Sequence, residues 1–120
     1  MFQLYYGRLW YTLSVALIGV VWWLSLTPHP PTIDLPYGDK WGHLAAYATQ
    51  MLWFAAFIPR SYRWLPALSL CAMGALLEVL QGMTDYRTFE YADMAANAMG
   101  VLMGWFLLEI ILLARKKHAQ

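Results

Sequence analysis

The sequence predicts an all-α integral membrane protein, a bundle of four transmembrane helices forming one domain over residues 1–120. Three observations predict it. Of 120 residues, 61% are hydrophobic, 17% aromatic and only 12% charged, too little polar surface to clothe a soluble globule of this size. Four continuous apolar stretches meet or approach the roughly 20 residues needed to cross about 30 Å of hydrocarbon at about 1.5 Å rise each. These stretches lack the alternation of barrel strands, so helices are the expected spans.

The first stretch runs from about Leu9 to Leu26 without a charge, opened by Tyr5, Tyr6 and Arg8 and closed by Trp22, Trp23, Pro28, Pro30 and Pro31. Aromatic residues and proline mark a span's exit at the membrane surface. It is long for a signal-peptide core and is followed by Leu-Thr-Pro-His-Pro rather than a small-residue cleavage site, so it is expected to be retained. The second runs from about Trp41 to Ile58 and stops at Pro59; the third runs from about Trp64 to Met83 and contains Glu78. The fourth runs from about Tyr91 to Leu113 and ends at Arg115, Lys116 and Lys117, a basic cluster suited to the membrane surface. Cys71 lies alone in an apolar run and has no partner for an internal disulfide.

Orientation follows from the basic residues of the short connections. Four spans put both termini on one side, which collects Arg8, Arg60, Arg63, Arg115, Lys116 and Lys117, against Lys40 and Arg87 on the other. The positive-inside rule makes both termini cytoplasmic and turns the connections around Thr27–Lys40 and Thr84–Glu90 outward. The location expected is a cytoplasmic membrane, crossed several times.

An ionisable residue at membrane depth costs several kcal/mol unless paired or hydrated, so position makes it informative. Asp39, His43 and Tyr47 stand at i, i+4, i+8 where the second span starts, with Gln50 continuing the stripe. Glu78, Gln81 and Asp85 stand at i, i+3, i+7 where the third ends, Glu78 about 7 Å inside. Asp93, Asn97, Gly100 and Gly104 follow i, i+4, i+7, i+11 in the fourth, a polar face continuing as a close-packing face of glycine. Three helices thus bring polar stripes to one depth on the outward side, and a shared chamber of small-molecule size is expected there.

Bland readings stand beside these. Asp39 and Asp93 suit helix N-termini, where a carboxylate is favoured by roughly 0.3–1 kcal/mol. His43 suits a structural bond to Asp39 or an amide, and Gln81 and Asn97 suit interhelical hydrogen bonds. Glu78 needs a proton, a cation or water, which Arg87 or His43 would supply. Glu109 is expected at the interface without chemistry. Walker, H-E-x-x-H, paired CxxC and G-x-S-x-G motifs are absent. Asp39, His43, Glu78 and Asp93 are types that bind cations, but their spacing is not that of a metal site, and neither metal nor cofactor is expected.

The run Ser-Leu-Thr-Pro at 25–28, Asp39-Lys40-x-x-His43 with Tyr47, Glu78-x-x-Gln81, and Arg87 with Asp93-x-x-x-Asn97-x-x-Gly100 resembles the VanZ-like membrane proteins of bacteria, from about Leu24 to Gly104. The resemblance implies a short helical envelope protein of a family whose best-known member is associated with low-level teicoplanin resistance. It marks Asp39, Lys40, His43, Glu78, Gln81, Arg87, Asp93 and Asn97.

Two functions are expected from these residues. In the first, an outward polar pocket binds, and in one version chemically alters, a membrane lipid or lipid-linked cell-wall precursor. Arg87 and Lys40 hold its anionic headgroup, with Asp39 beside them; His43 and Glu78 handle protons, Asp93 orients one of them, and Gln81 and Asn97 fix the walls. In the second, the polar network only sets helix register, and the chain is a structural partner of a larger envelope complex or of a second copy of itself. A net charge of +1 excludes the basic excess of a nucleic-acid binder, and four short helices leave a transporter little room for alternating access.

Overall fold

The computed structural model describes the backbone of residues 2–120 and the side chains from residue 7 onward; the Tyr5 and Tyr6 side chains lie outside the described residues. It contains α1 (Phe2–Leu26), α2 (Gly38–Ala56), a 3-10 turn (Arg60–Tyr62), α3 (Trp64–Gly82) and α4 (Tyr91–His118), with no strand among the described residues. Three segments, Gly7–Leu26, Arg60–Gly82 and Tyr91–His118, are long and apolar enough to cross a membrane. The fourth helix, α2, is 19 residues long but is interrupted by Asp39, Lys40, His43 and Gln50. Its polar first turns keep it below the apolarity of the others, so three helices of the four expected spans are apolar enough to cross by length and composition.

α2 and α4 make the most extensive helix pair, and glycine explains why. A Cβ on Gly100 would collide with the Leu44 carbonyl oxygen, and one on Gly104 with that of Ala48. The backbones therefore meet without intervening side chains, the geometry that dispersion favours where no hydrophobic effect drives association. Tyr47, Met51, Val101 and Leu108 fill the seam, with Leu70 and Leu77 of α3 completing the core. The glycine face is thus consumed inside the chain and is not left for a second protein.

Each end is tied by polar groups. At the end holding the α2–α3 connection, buried Arg63 donates from Nε to the Ala55 and Ile58 carbonyls at 3.1 and 3.3 Å and from Nη1 to Glu109 Oε1 at 2.6 Å. Glu109, expected to be idle at the interface, instead fixes α4 to that connection, and Arg60 joins it at 3.4 Å. α1 is pinned at this end by Trp53 Nε1 donating to Ser14 Oγ at 2.9 Å and by Trp10 against Phe54 and Phe57.

The opposite end gathers the C-termini of α1 and α3 with the N-termini of α2 and α4. The last carbonyls of α1 have no intrahelical donors. They are satisfied from α3 and its following loop: Gln81 Nε2 donates to Ser25 O at 2.6 Å, Tyr86 Oη to Leu26 O at 2.8 Å, and Arg87 Nη1 to Thr27 O at 3.2 Å. Before α2 the chain turns through Tyr37, at φ 59. Gly38 then packs so closely under the Ile33 carbonyl that no side chain fits.

Gly104→Ala should lower the thermal midpoint, by overpacking worth about 1–3 kcal/mol, whereas Gly19→Ala, inside α1 and with a Cβ that meets nothing within 4 Å, should hold or raise it. Gln50 is fully buried with both amide atoms lacking a hydrogen-bond partner. Removing an unsatisfied buried amide is neutral or stabilising, so Gln50→Leu should hold or raise the midpoint in a thermal melt; a fall would contradict this packing.

Candidate functional site

Of the eight residues selected from sequence, Lys40 is the centre of the cluster where α2 and α4 begin. Its Nζ lies 2.6 Å from Asp39 Oδ2 and 2.7 Å from Asp93 Oδ1, and it also bonds Glu90. Asp39 and Lys40 begin α2, Glu90 is the N-cap of α4 and Asp93 lies in its first turn. One ammonium therefore joins the starts of two helices, and both acidic helix positions also favour the positive end of a helix dipole. Glu90 was not among the eight; its place directly before an apolar run, three residues from Asp93, was the available signal.

Lys40 and Asp39 stand in the first turn of α2, before its apolar run. Burial works against the Lys40 charge, yet bonds to Asp39, Asp93 and Glu90 raise its pKa well above the usual 10.5. The hydrogen bond from Lys40 outweighs the desolvation of Asp39 and holds that carboxyl below the usual 3.8. Ligand atoms of Asp39, Glu90 and Asp93 all lie within 4.8 Å of one another, a spacing open to a cation. The Lys40 ammonium already fills that role.

His43 sits one turn deeper on α2. Its Nδ1 is 2.9 Å from Asn97 Oδ1, and its Nε2 is 3.7 Å from Asp93 Oδ2. With the Asn97 oxygen turned to the ring, Nδ1–H donates and Nε2 is the atom able to exchange a proton beside Asp93. Asn97 and the Tyr47 hydroxyl both approach α3 where Gly74 offers no side chain; a Cβ there would lie 2.9 Å from Asn97 Nδ2.

Glu78, 1% exposed, accepts the Glu90 backbone N–H at 2.7 Å and thereby caps the start of α4. No hydrogen bond or ion pair joins Glu78 to His43 or Arg87 among the described residues. Gln81 serves the α1 carbonyl described above, and Asp85 is exposed in the loop.

The open space lies elsewhere than the three stripes suggest. A cavity of about 120 Å³ is bounded by α1, the 30–38 loop and α2, with Val21, Leu24, Ile33 and Ala46 as apolar wall and Asp39, His43, Tyr47 and Arg87 as polar lining. Lys40, Glu78, Gln81, Asp93 and Asn97 do not line it; they hold the elements that do. Arg87 stands apart electrostatically. Its only acceptors are carbonyls of the α1 terminus, Thr27 O and Leu24 O at 3.2 and 3.4 Å, and no carboxylate pairs with it among the described residues.

In comparisons with protein-family models, curated proteins and solved structures, the chain matches none.

The Lys40 network should stabilise the fold across a defined pH range. Asp39, with its folded pKa depressed, contributes above 3.8 and loses that contribution as pH falls through the lower folded value. Lys40, with its folded pKa raised, contributes below 10.5 and loses it as pH climbs through the higher folded value. The difference in thermal midpoint between wild type and Lys40→Met should be constant between these limits and shrink beyond each. A difference that vanishes at neutral pH would refute the assignment.

Proposed function

We propose that the chain is a VanZ-like protein of a bacterial cytoplasmic membrane, with four spans including α2 and both termini cytoplasmic. Its outward pocket binds a lipid or lipid-linked cell-wall molecule through the anionic group that molecule carries. The observation that carries this reading is the guanidinium of Arg87 on a cavity with an apolar wall, with no carboxylate in ion-pair contact with it among the described residues. A cation placed beside apolar walls near the membrane surface favours an amphipathic anion. The Lys40 bonds transfer that residue from headgroup binding to structure, so Arg87 is the principal anchor. His43, with Nε2 beside Asp93, is the group suited to proton exchange with whatever occupies the cavity.

A second reading has its own support. Glu78, Gln81, Asn97 and Lys40 each bond another helix or loop, as expected of a scaffold whose polar groups fix register. Under it the protein acts as a structural partner in a larger envelope complex, and Arg87 only caps α1.

Lipids retained by the purified protein separate the two. Wild type should carry a phosphate-bearing lipid at near-stoichiometric level by native mass spectrometry, and Arg87→Ala should lose most of it while keeping its thermal midpoint to within a few degrees. Equal retention by both proteins would favour the scaffold. For topology, impermeant thiol reagent should label Asp34→Cys but not Lys117→Cys in a Cys71→Ser background on intact cells; the reverse pattern would invert the orientation.

A further inference from the structure

The cavity presents two kinds of charge, and the arrangement of donors and acceptors narrows what it holds. Arg87 has five N–H groups. Nη1 is turned to the α1 carbonyls of Leu24 and Thr27, while Nε and Nη2 have no acceptor among the described residues. Pinning Nη1 orients the planar group and leaves the Nε–Nη2 edge, two parallel N–H bonds matching two oxygens of a phosphate. On the same cavity, Asp39 turns Oδ2 to Lys40, while Oδ1 has no hydrogen bond among the described residues.

The surrounding field is not that of a simple anion site. Asp39, Glu90 and Asp93 share the single Lys40 ammonium, which leaves this side of the cavity net negative. A ligand that is only an anion meets attraction at Arg87 and repulsion from that cluster. A ligand carrying a cation a few bonds from its phosphate satisfies both.

Size sets the rest. A volume of about 120 Å³ is well under the roughly 300–1,000 Å³ that encloses a drug-sized molecule. A headgroup fits and its chains do not. Gly42, on the α2 wall, would place a Cβ with nothing within 4 Å, so the space at that wall is open.

Building on the lipid-binding reading above, we propose that the cavity selects the zwitterionic headgroup of an amino-phospholipid. The Nε–Nη2 edge of Arg87 grips the phosphate, Asp39 receives the primary ammonium, and the acyl chains stay in the bilayer beyond Gly42. The primary amine matters because it donates N–H bonds to a carboxylate, which a quaternary ammonium cannot.

The test uses the full chain in phosphatidylcholine nanodiscs doped equally with phosphatidylethanolamine and phosphatidylglycerol, reading retained lipid by native mass spectrometry. Wild type should retain phosphatidylethanolamine over both others by about tenfold. Asp39→Asn should bring phosphatidylethanolamine and phosphatidylglycerol to parity, and Arg87→Lys should lower retention of all three. Gly42→Leu should empty the site, while Gly19→Leu, which adds the same bulk to open space on α1, should not. Wild type retaining phosphatidylglycerol as well as or better than phosphatidylethanolamine, or an undiminished preference in Asp39→Asn, overturns the headgroup assignment alone. No lipid retained above the level of Gly42→Leu overturns the lipid-binding reading and this inference with it.

Discussion

An ammonium ion set among three carboxylates at the edge of an apolar bundle is the interaction on which the rest of this structure depends. Bare charges near hydrocarbon are expensive, and an acidic cluster without a counter-ion would repel itself apart. Lys40 resolves this for Asp39, Glu90 and Asp93 together, and it does so across the starts of α2 and α4. Once those starts are joined, Gly100 and Gly104 can ride against Leu44 and Ala48, and Asn97 comes within bonding distance of His43. The opposite end repeats the device with Arg63 and Glu109. α4 is thereby fixed at both ends.

α1 shows the complementary solution. It carries no charge between Leu9 and Leu26, so its C-terminal end is held through main-chain carbonyls that Gln81, Tyr86 and Arg87 satisfy. A cation at a helix C-terminus is favoured by the dipole, which accounts for Arg87 lying here without a carboxylate. The two cations at this end therefore differ in kind. Lys40 is surrounded by its counter-ions, whereas Arg87 is anchored by neutral oxygens through one nitrogen and has no carboxylate in ion-pair contact among the described residues. The same residue that caps α1 is thus the group best able to recruit an anion.

Much of this was legible in the sequence, for physical reasons that particular residues make plain. The third helix, expected from Trp64 to Met83, runs Trp64–Gly82, and the fourth starts at Tyr91 as expected, because apolar runs bounded by charge and turn residues leave little freedom. Helical spacing correctly turned Tyr47, Gln50, Glu78, Gln81, Asp93, Asn97, Gly100 and Gly104 inward. Spacing identifies an inward face, however, and not which gap between helices stays open. The cavity lies beside α1 because prolines and Gly38 draw the 30–38 loop over the α1–α2 gap, while close glycine packing shuts the gap between α2 and α4. The polar contribution of the α1 C-terminus was illegible for another reason: it consists of backbone oxygens, which every residue possesses. Glu109 was misjudged because its partner Arg63 lies 46 residues away, a pairing that no local pattern encodes.

The central claim is that Arg87, capped onto α1 yet free of any carboxylate, meets the phosphate of a bilayer lipid. Solid-state NMR measures this directly, through dipolar recoupling between guanidinium 13Cζ and 31P in phospholipid bilayers, with Arg87→Lys protein to identify the signal. The account predicts strong dephasing of one arginine Cζ resonance that disappears in the variant. Identical dephasing in the two proteins would contradict it.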